Sequence, residues 1–163
     1  MLIIRNALPE DLEGKAYVHY HAWNETYTGL IAQEYLDFRS LERTLASAKA
    51  HPENTLVALM DHRVVGFASY NKCRDFDCPD AGEISAIYVL RDYQGQGIGK
   101  RLLLECERRL EGHQEVVIWV LRENQNAIDF YEHLGFVQDG HTKAVGLANI
   151  TTITEIRMIR KQA

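Results

Sequence analysis

Cysteine is scarce and odd in number, at positions 73, 78 and 106, with no C-x-x-C pair. That argues against a disulfide framework and a cysteine zinc site, and favours a reducing, cytoplasmic setting. No H-E-x-x-H occurs, and His19 and His21, two apart, would point to different helix faces, so no metal is expected. Long apolar runs are missing as well. The start, residues 1–6, is apolar only briefly before Arg5, too short for a signal h-region, and no stretch reaches bilayer length. Positive charge is not in excess: 18 Lys and Arg against 23 Asp and Glu leave a net charge of −5 and a pI near 5.8. The basic residues are dispersed, so no broad nucleic-acid footprint is expected. With three prolines, no low-complexity tract and no repeat period, the 163 residues and 46% hydrophobic content suit one domain spanning 1–163.

Residues 2–7 suit a first strand. Pro9-Glu10-Asp11 reads as a helix entry, because proline and acidic residues are favoured in a first turn. That helix is expected to run to about residue 23, and a second, amphipathic helix to cover 33–49. Residues 55–60 and 64–70, separated by Asp61-His62-Arg63, read as a hairpin. A strand over 82–89 precedes a helix over 98–110, then come a strand over 115–121 and a short helix over 124–134 stopped by Gly135. Residues 136–137 and 155–159 are expected as the last strands, with 139–154 left unassigned. The order is β-α-α-β-β-β-α-β-α-β-β, an α/β (α+β) class. It implies a mixed, twisted central sheet with helices on both faces.

Gln94-Gly95-Gln96-Gly97-Ile98-Gly99, between strand and helix, reads as a phosphate cradle. Three glycines at alternate positions take away Cβ atoms that would hold an anion off the backbone, and each tolerates a positive φ. The helix behind adds unpaired N–H groups and the positive end of its dipole. A P-loop would need Gly where Gln94 stands and Ser or Thr where Arg101 stands. A dinucleotide fingerprint would need its third glycine at position 100, which is Lys. Neither template fits, whereas Q/R-x-x-G-x-G/A is met by Gln94, Gly97 and Gly99. In the following segment Asn124, Ala127, Ile128 and Tyr131 fall at i, i+3, i+4 and i+7, one stripe on a helix. The run from Asn124 to Phe136 matches N-x-x-A-I-x-F/L-Y-x-x-x-G-F. On these two motifs the chain resembles the GNAT superfamily of acetyl-CoA-dependent N-acetyltransferases, and the element order is also the one expected of that fold.

The resemblance implies acetyl-CoA as acetyl donor and a primary amine of a small molecule or peptide as acceptor. Donor contacts would fall on Ile87, Tyr88 and Val89 through main chain, on Gln94, Gly95, Gln96, Gly97, Ile98, Gly99 and Lys100 through the cradle, and on Asn124, Ala127 and Tyr131. An ammonium with an ordinary pKa of about 10.4 must lose its proton before attack on the thioester. The oxyanion that forms is best met by a main-chain N–H, which by resemblance is that of Val89. By resemblance too, Tyr131 protonates the departing thiolate. Glu83, eleven residues before Gln94, resembles the strand glutamate that serves as general base in histone-type members; the plain alternative is a strand cap paired with a cation. Asn124 also reads as an N-cap and Tyr131 as a core aromatic.

Trp23 to Gly29 resembles the W-x-x-T-Y segment of a bacterial branch that includes spermidine/spermine acetyltransferases. Tyr27 and Glu25 would then line an amine pocket, with Glu25 otherwise a solvated loop residue and Trp23 packing. Trp119 stands where ribosomal-protein N-terminal acetyltransferases carry a glutamate, which disfavours that substrate. Asn126 replaces a basic residue of many members, a loss for which Lys100 and Arg101 could compensate. A non-catalytic acyl-CoA sensor and a protein acetyltransferase are the competing readings. Homodimers are common in the family, but no segment of this sequence locates an interface.

Overall fold

The computed structural model describes residues 1–162. Strand β2 (Thr55–Met60) alternates its side chains between two cores, so it is buried almost throughout. Leu56 and Ala58 turn to one face of the sheet, Val57 and Leu59 to the other. Around it lie β1 (Leu2–Asn6) and β3 (Arg63–Lys72), then β4 (Gly82–Val89), β5 (Glu115–Leu121), β6 (Val137–Leu147) and β7 (Thr151–Lys161). Their order across the seven-stranded sheet is β1-β2-β3-β4-β5-β7-β6. Every neighbouring pair is antiparallel except β4 and β5.

Helices cover both faces, as the element pattern requires. Helix α4 (Ile98–Arg109) and helix α5 (Gln125–His133) press Ile98, Leu102, Leu103, Cys106, Ile128 and Tyr131 onto one face. Helix α1 (Leu12–Tyr27) presses Val18 and Ala22 against Val57, Val64 and Phe67 on the other. Among the described residues, no helix is long and apolar enough to cross a membrane.

Three expectations need correction. The first helix continues to Tyr27, a full turn past residue 23. The helix expected over 33–49 is two: α2 (Gln33–Phe38) and α3 (Leu41–Ala50). Arg39 is extended at the end of α2, and Ser40 starts α3 by accepting the Arg43 N–H on its hydroxyl at 3.1 Å. The order is therefore β-α-α-α-β-β-β-α-β-α-β-β. The last two strands are also far longer than expected, pairing as a hairpin of 11 residues each that takes in most of 139–154. β6 is the sheet edge and mostly exposed, so it lacks the apolar alternation that marks a half-buried strand.

Two departures from regular pairing shape the centre. β4 and β5 are in register only at Gly82 with Val116 and Glu83 with Val117, and then separate. Two residues beyond the last β4–β5 pair, the β3–β4 register slips between Ser69–Ala86 and Tyr70–Ile84, leaving Ser85 as a bulge. A one-residue slip exchanges faces: Ile84 joins the core under α4 and α5, whereas Ala86 and Tyr88 face α1.

Candidate active site

The wedge between the diverging strands opens into a cleft of about 690 Å³, walled by β4 and β5, the glycine loop, α5 and the end of α1. Strand edges there have no ladder partner, so main-chain groups of β4 face the opening. The Leu90 N–H bonds back to Val65 O on β3 at 3.0 Å, and by alternation the amides of Val89 and Ile87 point the other way, into the cleft. Gln94 closes the strand end by donating from Nε2 to Val89 O at 3.0 Å.

At the cleft mouth, Gly95 and Gly97 have φ of +78° and +80°, and a Cβ on either would project into open space. Gly97 begins α4: its carbonyl receives the Arg101 N–H at 3.1 Å, which leaves the preceding amides of the first turn without helical partners. Gly99 differs from the expectation of a third positive φ. It is helical, and its missing Cβ lets the Phe130 ring approach to 3.3 Å. Gly95, Gly97, Ile98, Gly99 and Lys100 line the cleft, but Gln96 and Arg101 are exposed outside it. The arrangement fits a diphosphate held by backbone donors, with Lys100 as an adjacent cation.

Asn124 is buried and caps α5, its Oδ1 accepting the Ala127 N–H at 3.2 Å. The cap fixes the helix so that Ala127 and Tyr131 meet the cleft. Tyr131 is 8% exposed, and burial pushes its phenol above the usual range, with Tyr27 and Cys106 acting in the same direction. Such a hydroxyl stays protonated near neutrality and is available as a donor.

Across the cleft the Tyr27 and Tyr88 hydroxyls share a hydrogen bond of 2.9 Å, although 61 residues separate them. Burial raises both phenols, that of Tyr88 strongly. His19 stacks on Tyr88 with ring centres 5.9 Å apart and packs on Phe67 at 5.3 Å. Its imidazole is pushed down to about 3 by burial and by the charges of Lys15 and Arg39, so it is neutral. Among the described residues there is no group of His, Cys, Asp and Glu fit to hold a metal ion.

Glu83 lies outside the cleft. It sits at the closed end of the wedge, where β4 and β5 still pair, and its carboxylate accepts the Arg74 N–H and guanidinium, both at 3.3 Å. Glu25 does line the cleft, but its carboxylate accepts the Arg91 N–H at 3.1 Å while its carbonyl receives the Arg91 guanidinium at 2.8 Å. It thereby ties the end of α1 to the turn after β4. Trp23 packs on Tyr27 and Tyr35 beneath the Arg39 guanidinium. Sequence reasoning missed the Tyr88 side chain, Phe130 and Trp119 as cleft-lining groups. Trp119 was visible as a departure from a pattern; its place in the wall depends on the β5–β7 register.

The acetyltransferase (GNAT) family profile matches residues 16–136. Over 136 residues the chain is 31% identical to the uncharacterized N-acetyltransferase YuaI of Bacillus subtilis, covering 81% of this chain and 78% of that protein. It is 29% identical over 144 residues to a spermidine N(1)-acetyltransferase of Thermoplasma acidophilum, covering 82% and 86%. The crystal structure of PaiA N-acetyltransferase from the same organism, in complex with coenzyme A, superposes with a TM-score of 0.78 at 26% identity, covering 99% of each chain. With the splayed strands, the glycine loop and the family profile in agreement, the chain belongs to the acetyltransferase (GNAT) family.

Proposed function

We propose that this enzyme binds acetyl-CoA in the wedge and transfers the acetyl group directly to a primary amine of a small molecule entering from the side of α1. The observation that supports it most is the convergence of three elements on one cleft: unpaired β4 amides, the glycine-loop start of α4, and the buried Tyr131 hydroxyl. The loop amides with Lys100 would hold the diphosphate, and the edges of β4 at Ile87 and Val89 would pair with the pantetheine amides as an added strand does. Acetyl-CoA supplies an activated acyl group; the rest of the chemistry falls to this chain's own residues.

The Val89 amide would donate to the carbonyl oxygen as negative charge builds on it. Tyr131, kept neutral by burial, would donate its proton to the sulfur as the C–S bond breaks and negative charge develops on the leaving group. The Tyr27–Tyr88 pair offers the incoming ammonium a hydroxyl oxygen as acceptor and a second hydroxyl through which its proton can pass to solvent. Glu83, held by Arg74 away from the cleft, is assigned the positioning of the β4–β5 junction. The three cysteines are unpaired, in keeping with a reducing cytoplasm.

Release of free CoA thiol from acetyl-CoA in the presence of an amine panel tests the activity. Tyr131→Phe should lower kcat by about a hundredfold while the affinity for acetyl-CoA stays within about twofold. Glu83→Gln should change kcat by no more than about threefold at neutral pH. A loss in Glu83→Gln as large as that in Tyr131→Phe would return the base role to Glu83.

A further inference from the structure

Trp119 lines the cleft, and beyond it the sheet continues through β7 to β6, where a cation sits against the indole. Lys143 on β6 brings Nζ to 4.2 Å from the centre of the Trp119 ring and to 3.8 Å from Oε1 of Glu155 on β7. The indole cannot turn away: its Nε1 donates to both oxygens of Asp75, at 3.0 and 3.2 Å. Glu155 lies in register with Leu121 and Lys143, two residues from Arg157 and on the same side of the strand. Its register puts it on the face of the sheet that carries Trp119, and its negative charge bears on the Tyr27 and Tyr88 hydroxyls.

The other cations of this region are committed elsewhere. Arg157, 3% exposed, is saturated by Asp75, Asp77 and Asp139, with contacts of 3.2, 2.7 and 2.6 Å. Arg74 is taken by Glu83. Among the described residues Lys143 is the cation that pairs with Glu155, whose other charged neighbour is Glu83, and it does so loosely: 3.8 Å is longer than a charge-assisted hydrogen bond of about 2.8 Å, and the lysine side chain is 41% exposed on the sheet edge. Glu155 is the more enclosed partner, at 24%. An aromatic face beside a half-enclosed carboxylate is a site for an ammonium group. Exchange of one cation for another would leave the local charge unchanged, since a departing Lys143 swings into water and gives up a weak, exposed pair.

We propose that Trp119 and Glu155 form a seat for a second positive charge on the acceptor, which the Lys143 ammonium fills when no acceptor is bound. The acceptors selected are then diammonium compounds, acetylated at one end and held at the other, and Lys143 competes with them. This deepens the acetyl-transfer reading and rests on it.

The test compares short α,ω-diamines with the matching monoamines and ω-amino acids as acceptors, in the wild type, Lys143→Ala and Glu155→Gln. In the wild type kcat/KM for the best diamine should exceed that for its monoamine by about tenfold or more. Lys143→Ala should raise the diamine value by about threefold or more through KM, with monoamines within about twofold. Glu155→Gln should raise KM for diamines until the preference over monoamines is gone. A diamine-to-monoamine ratio equal in all three proteins overturns the seat, as does a preference for ω-amino acids that Lys143→Ala abolishes, which would make Lys143 a carboxylate binder.

Calorimetric titration of the same diamine into the CoA-saturated protein reads the seat without turnover. Tighter binding in Lys143→Ala and loss in Glu155→Gln are expected, and equal affinity in all three overturns the seat even if acetyl transfer proceeds. Diamine binding that depends on Glu155, with no CoA released for any amine, would instead sink the transfer reading and leave the seat standing.

Discussion

At Gly97 the backbone passes through a φ of +80° immediately before α4, with open space where a Cβ would stand. Valine there meets a double penalty. A left-handed conformation costs a residue with a Cβ about 1–2 kcal/mol, more when it is β-branched, and the added methyls would occupy the open volume proposed for phosphate oxygens. Gly97→Val should therefore abolish measurable acetyl-CoA binding in calorimetry while far-UV circular dichroism stays native; normal affinity would remove the loop from the cofactor site. Spacing alone made Gly95 and Gly97 legible, since a turn into a helix start is a local event. Gly99 was grouped with them, yet its reason is the Phe130 ring 31 positions on, at 3.3 Å from the missing Cβ, and no local pattern reports that contact.

Ser40 divides α2 from α3, and its hydroxyl satisfies an amide that the first turn of α3 would otherwise leave unpaired. Ser40→Ala should lower stability by about 1 kcal/mol in urea unfolding, with kcat unchanged, because α3 packs behind α1 and away from the cleft. A stability equal to wild type would mean the cap contributes nothing. The apolar positions of both helices keep one continuous period across the break, so hydrophobic pattern merges them; an extended Arg39, drawn onto Asn24 and over the Trp23 ring, is what separates them. The β6–β7 hairpin was illegible for a different reason. Its edge strand is polar on both sides, and its register slips around Asp139–His141, where Asp139 reaches Arg157, so the signal is spread over cross-strand partners.

Across the whole molecule, α1 lays His19 between the sheet's Phe67 and Tyr88, and this makes stability depend on pH. The imidazole is held down to about 3 in the fold against 6.5 as a free side chain, with Lys15 and Arg39 as its charged neighbours. Between those values the unfolded chain binds the additional proton. Stability is thus complete above pH 6.5 and falls as pH drops below it, with a limiting slope of about 1.4 kcal/mol per pH unit. Carboxylates raised by burial, Glu107 and Glu155, oppose this trend, and the lowered Asp11 and Asp139 add to it below their ordinary range. His19→Phe, which keeps a ring on Phe67 and Tyr88, should reduce the stability loss between pH 7 and pH 5 by about 2 kcal/mol in urea unfolding. An unchanged pH dependence would place the proton elsewhere.

By itself the sequence determined the features whose physics is contained within one turn or one helix: the glycine-loop start of α4, the Asn124 cap, and the stripe that carries Ala127 and Tyr131. Main-chain dihedrals and helical periodicity are short-range properties, so neighbouring letters suffice to specify them. Tertiary structure alone decided which groups meet across the sheet. The Ser85 bulge turns Tyr88 towards Tyr27, the parting of β4 from β5 after Glu83 opens the wedge, and β-register brings Lys143 and Glu155 to the Trp119 face. Those encounters depend on strand register, where a shift of a single residue exchanges inside for outside, and register is set by the packing of the entire sheet.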